Sequence, residues 1–231
     1  SGGILITESA GATITIDGSM LRNGIIKHSF SIEKEFGDVA QFLLYKWMMV
    51  DTLDISAATS AIMTSNYSFL GAEHTIAQAS NASTTLPSLK GDLMNGVTNV
   101  SNIEESGMPI AAGQFISQLD INVANGLRAQ QAIGSLAPVG IGVGRSVITG
   151  TMSVYFADEI MYSKYLNSTP TSVSYQLTDA SGKGYVITVP RLKFTSGSPD
   201  AGGIDQDIII AMAFQGILDP TTQCSLQIDR F

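Results

Sequence analysis

The 231-residue sequence predicts an all-β fold of about ten strands with two short helices. Three observations lead there. Short segments alternate apolar and polar side chains with a period of two. Turn dipeptides such as Asp17-Gly18 and Asn125-Gly126 separate them. One strand pair also occurs twice. Leu53-Asp54-Ile55-Ser56, followed by the alternating segment 61–69, is echoed by Leu119-Asp120-Ile121-Asn122 and the segment 146–154. The duplication predicts two equivalent hairpins in one sheet.

Taken in order, 12–16 reads as a strand ended by Asp17-Gly18, and 25–33 as a second strand. Asp38 is placed to cap a short helix over 39–46, with Val39, Phe42 and Leu43 on one face. Trp47 follows at a helix–strand junction and reads as core. Segments 48–57 and 61–70 form the first copy of the repeat. Periodicity fades over 71–113, which is rich in Ser, Asn, Thr and Ala, and this stretch reads as a long loop or arm. Strand character resumes over 115–124, and the second copy occupies 146–156. Asp158 is placed to cap a second helix over 159–166. Segments 173–178 and 185–194 flank the turn chemistry of 179–184, and strands over 204–218 and 224–229 close the chain. The whole, 1–231, reads as one domain, with 1–11 an N-terminal arm.

The chain carries 12 Lys and Arg against 20 Asp and Glu, a net charge of −8. That balance opposes ordinary nucleic-acid binding, which gathers cations against phosphates. Hydrophobic content of 44% argues against disorder. The longest apolar run, 208–214, is far short of the roughly 20 residues that cross a membrane. The one cysteine, Cys224, sits in an alternating segment and reads as a buried small hydrophobe.

Motifs for chemistry fail on context. Gly140, Gly142 and Gly144 lack the spacing and the following helix of a dinucleotide site. Ser181-Gly182-Lys183-Gly184 lacks the rest of a phosphate loop. His28 and His74 have no partner at ligand or triad spacing. Asp205 with Asp207, Glu104 with Glu105, and Asp158 with Glu159 lack the calcium-loop pattern. The sequence therefore indicates no catalytic residues, no cofactor and no metal, and no enzyme.

The repeat offers a surface instead. A pleat sends alternate residues to opposite faces. Asp54, Thr64, Asn66 and Ser68 fall on one face of the first copy, and Asp120, Thr149, Thr151 and Ser153 on the matching face of the second. The opposite face takes Leu53, Ile55, Met63, Tyr67 and Phe69, and in the second copy Leu119, Ile121, Ile148, Met152 and Val154. The polar face carries isolated carboxylates and no lysine.

Several segments, in order, carry a family resemblance: 36–42, 64–71, Ile148-Thr149-Gly150-Thr151-Met152-Ser153-Val154-Tyr155-Phe156, the run 184–194, Ala213-Phe214-Gln215-Gly216-Ile217-Leu218-Asp219, and Ile228-Asp229-Arg230. Together they resemble the tail tube proteins of long, non-contractile-tailed bacteriophages. The resemblance implies a tail-tube β-sandwich or barrel that stacks as hexameric rings into a hollow tube for DNA delivery. It implies that the eight polar residues above face the lumen and that 71–113 locks ring to ring. The implied partners are further copies of the chain, the terminator, tape measure and distal tail proteins, and passing double-stranded DNA held without specific binding, with no membrane. The implied location is the virion tail, after assembly in the host cytoplasm. A tail terminator, a contractile-system or secretion inner tube, and a β-sandwich adhesion module are the alternative readings.

Overall fold

The computed structural model describes residues 4–7, 13–16, 20–24, 26–82, 93–110, 115–157, 159–201, 203 and 206–231. In chain order the first strands are β1 (Ile4–Thr7), β2 (Thr13–Ile16), β3 (Met20–Arg22), β4 (Phe30–Phe36), β5 (Gln41–Ala58) and β6 (Thr64–Leu70). Next come β7 (Glu73–Ala77), β8 (Val100–Glu105), β9 (Met108–Pro109), β10 (Ile116–Ala124), β11 (Arg128–Gln130), β12 (Gly140–Gly142) and β13 (Val147–Tyr155). The helix α1 (Ile160–Leu166) precedes β14 (Thr171–Thr178), β15 (Gly184–Ala201), β16 (Ile208–Gly216) and β17 (Gln227–Arg230).

All pairings are antiparallel, and thirteen strands belong to one folded-over sheet. Its first layer runs β6-β5-β10-β13-β16-β15 and its second runs β9-β8-β14-β15-β17-β3. The shared strand β15 turns the corner. Its residues up to Leu192 pair with β14, and from Leu192 onward they pair with β16. Such a corner strand lets two layers close on one core without a separate connection.

The alternation read from the sequence fills that core. Leu119, Ile121 and Val123 of β10, Ile148, Met152 and Val154 of β13, and Ile210, Met212 and Phe214 of β16 are buried. They form one cluster with Val173, Tyr175 and Leu177 of β14 and with Ile187, Val189 and Leu192 of β15. Each aliphatic removed from water contributes roughly 1.5–3 kcal/mol, so a one-residue slip in register would forfeit the whole set. Helix α1 closes one side of the core with Met161. Lys164 and Thr171 both donate to the Glu105 carboxylate and tie the helix to β8 and β14.

The segment 39–46 is a turn and strand, not a helix. Residues 37–40 form the turn of a hairpin between β4 and β5, and residues 41–48 pair with β4 on one side and β7 on the other. Two strand partners satisfy the backbone of a segment whose helical periodicity spans little more than one turn. Trp47 is 64% exposed and adopts φ +58°, at the point where β5 passes into the sandwich, so it is not core. The three-stranded unit β4-β5-β7 over 30–48 and 73–77 contributes no side chain to the core cluster.

Three further differences concern boundaries. The stretch 71–113 is not one long loop: β7 extends the outer unit, and β8 and β9 complete the second layer beside β14. One helix forms among the described residues. Its N-cap is Glu159, without a side-chain cap bond, and Asp158 lies outside the described residues. The strand expected over 25–33 begins at Phe30, with residue 25 outside the described set.

Candidate functional site

Strand register decides which side chains share a face, because directly paired residues point the same way. The two copies of the repeat form the hairpins β5–β6 and β10–β13, joined through β5 and β10. Asp54 pairs with Asn66 in one copy and Asp120 with Thr151 in the other. Ser56 pairs with Thr64 as Asn122 pairs with Thr149, and Thr52 with Ser68 as Gln118 with Ser153. The alignment read from the sequence is thus repeated in space. Ile55 pairs with Ile121 at the centre, and a pseudo-two-fold axis passes between them.

One polar row therefore runs Asn66–Asp54–Asn122–Thr149–Gln215 across five strands, and a second runs Thr64–Ser56–Asp120–Thr151–Ala213. All eight residues singled out in the sequence lie on this face. Asp54, Thr64, Asn66, Ser68 and Thr151 are exposed, while Asp120, Thr149 and Ser153 are half-buried. The face is dished, with a hollow of about 540 Å3 between Asp54, Asp120, Thr149 and Gln215.

The seam between the copies is cross-bonded. Ser56 Oγ donates to Asp120 Oδ1 at 2.5 Å, and Asn122 Nδ2 donates to Asp54 Oδ1. Asp120 also accepts from Gln118 Nε2 at 2.6 Å and from Thr151 Oγ1 at 3.3 Å. Among the described residues neither carboxylate has a cation in an ion pair; the pairs present are Lys46–Glu73 and Lys164–Glu105. Beneath the face, burial pushes the Tyr175 phenol up, and the negative charge of Asp120 adds to the rise.

Ser56, Asn122, Gln118 and Gln215 also belong to this face. The first two stand two residues beyond Asp54 and Asp120, so the period-two pattern held the signal. Lys193 of β15, outside both copies, pairs with Gln215 and places a cation at the margin of the face. The opposite face differs between the copies. Ile148, Met152 and Val154 are buried, but Tyr67 and Phe69 of β6 are exposed and stack on each other with ring centroids 6.3 Å apart.

Glycine shapes the second copy. A Cβ at Gly150 would lie 2.3 Å from the Phe214 ring and 2.3 Å from the Asp120 carbonyl oxygen. Phe214 fills the core position that a side chain at 150 would claim.

Among the described residues no group of three or more His, Cys, Asp or Glu is placed to hold a metal. None of the described helices is long and apolar enough to cross a membrane. Cys224 is buried.

A profile of phage tail tube proteins matches residues 2–216. The chain belongs to the phage tail tube protein family. No curated protein gives a significant match. This tail tube protein is accordingly a structural component of a bacteriophage tail, of a family that self-assembles and joins other tail parts.

Proposed function

We propose that this tail tube protein stacks as hexameric rings into a hollow tube, and that the face carrying Asp54 and Asp120 lines the channel. The observation that carries the reading is the continuous polar surface of β6, β5, β10, β13 and β16, opposite the buried core. DNA in transit must not be gripped, because every Lys or Arg contact with a phosphate adds affinity. Hydroxyls, amides and sparse carboxylates offer no such contact, and Lys193 stands at the margin.

In this reading the chain is one tail-tube domain that contacts its own copies around and along the tube. The outer unit β4-β5-β7, together with the N-terminal 1–11, supplies ring-to-ring contacts. Exposed Val39, Trp47 and Ile76 support that role, since apolar groups left in water favour a partner. Terminator, tape measure and distal tail proteins bound the tube, which assembles in the host cytoplasm and carries double-stranded DNA without specific binding.

Negative-stain microscopy at rising protein concentration tests assembly: hollow tubes are expected, and a persistent monomer contradicts the reading. Virions carrying Asp54→Lys with Asp120→Lys test the lumen. They are expected to build tails but to eject DNA poorly at low salt, where phosphate contacts are strongest.

A further inference from the structure

The connection between β10 and β13 folds into the small hairpin β11–β12, whose turn presents Ile133 and Leu136 wholly to solvent. The turn is ordered from within. The Ser135 backbone N–H donates to the Ala132 carbonyl at 3.2 Å, Ser135 Oγ to the Ala137 carbonyl at 2.6 Å, and the Val139 N–H to the Gln130 carbonyl at 2.8 Å. Gly134 takes φ +86° at its bend, a conformation glycine adopts without cost to a side chain. Residues 131–139 carry no charge. The result is a preformed apolar knob on a paired stalk, which loses little freedom when it docks.

A cavity of about 430 Å3 lies at the base of that stalk. Leu53, Val123, Leu127 and Val143 wall one part of it, and Leu21, Ile26 and Phe30 help to wall the rest. The volume is that of a pocket which takes a ligand or several side chains. Ser146 Oγ, buried beside it, has no hydrogen-bond partner among the described residues.

The molecule's own knob cannot fill this socket. Leu127 and Val143 belong both to the socket wall and to the foot of the stalk, and about 20 Å of extended chain separates Leu127 from Ile133. Folding back would break the β11–β12 pairing. The occupant comes from another molecule, and a self-assembling family supplies a second copy with the same knob.

The position of the two features selects which copy. Both lie at the end of the sheet where β10 finishes and β13 begins. Stacking along an axis brings opposite ends together, whereas neighbours on one tier meet at equal height. We propose that the Ile133/Leu136 turn inserts into the apolar cavity of the adjacent copy within the same ring, a heterologous contact that closes on itself. The proposal rests on the reading that the strands form a tube wall.

Two tests separate it from that reading. In the first, Leu136→Cys and Phe30→Cys proteins are mixed and treated with a short bismaleimide. Cross-linked dimers are expected in the mixture and not in either protein alone, and the buried Cys224 does not interfere. In the second, Leu136→Asp is expected to raise the concentration needed for assembly by at least about tenfold, the effect of losing one buried aliphatic. Its monomer should keep the wild-type circular dichroism spectrum, since the residue is exposed. Absence of the mixed cross-link, or Leu136→Asp tubes forming at the wild-type concentration, overturns the inference. If wild-type protein forms no tubes, the tube reading fails, and the mixed cross-link still decides whether knob meets socket.

Discussion

Ser56 donates its hydroxyl to Asp120 at 2.5 Å across the seam between two copies of one hairpin motif. The contact has a symmetry mate: Asn122, at the position equivalent to Ser56, donates to Asp54, at the position equivalent to Asp120. Each copy thus anchors the carboxylate of the other. Ser56→Ala removes one donor from Asp120, which keeps Gln118 and Thr151, so the expected loss is about 1 kcal/mol in thermal or urea unfolding. A loss well above 3 kcal/mol would mean that the hydroxyl holds more than this seam.

Gly150 and Phe214 compete for one space. Gly150→Ala would force the ring or the β10 backbone to move, at a cost of about 1–3 kcal/mol. Combining it with Phe214→Leu should recover part of that loss in a double-mutant cycle. Purely additive losses would place the strain elsewhere.

How much of this was readable beforehand depended on the range of the interactions. Leu119, Ile121, Ile148 and Met152 declare their face by alternation, a local signal, and the eight polar residues fell on the opposite face as expected. The fate of 39–46 is not local. Phe42–Leu43–Leu44–Tyr45 offers apolar side chains to either period, and only the distant strands β4 and β7 make it extended. The same holds for Val100–Glu105, whose pairing with β14 lies some 70 residues away in sequence. Trp47 looked like core by type, but its backbone turns where β5 leaves one unit for another.

Tyr175 buries a hydroxyl that has no hydrogen-bond partner among the described residues. Replacing it with Phe removes an unsatisfied polar group while keeping the ring, so Tyr175→Phe is expected to match the wild type or exceed it by about 1 kcal/mol. Clear destabilisation would show that the hydroxyl is satisfied in solution.

Asp219 caps the turn after β16. It accepts from the Thr222 backbone N–H at 2.7 Å, the Thr222 hydroxyl at 2.9 Å and the Thr221 N–H at 3.2 Å. The Thr222 N–H foremost, then its hydroxyl, hold this carboxyl below its ordinary value against a smaller opposing effect of burial. A lowered folded pKa adds stability that is present above the unfolded value and lost as pH falls through the folded one. Asp219→Asn should therefore melt lower than the wild type at pH 7, with the gap closing below about pH 4. A gap that is unchanged from pH 7 to pH 2 would contradict the role of the charge.

The central claim is that the polar face of the repeated hairpins lines a channel, and reagent access to assembled tubes tests it most directly. Thr151→Cys places a thiol on that face, exposed in the single chain, while the native Cys224 stays buried. In monomers the new thiol should react with both a small maleimide and a maleimide carried on a bulky protein. In tubes it should react with the small reagent while the bulky one is shut out along the wall. Bulky label decorating the outside of the tubes would place this face outward and contradict the account.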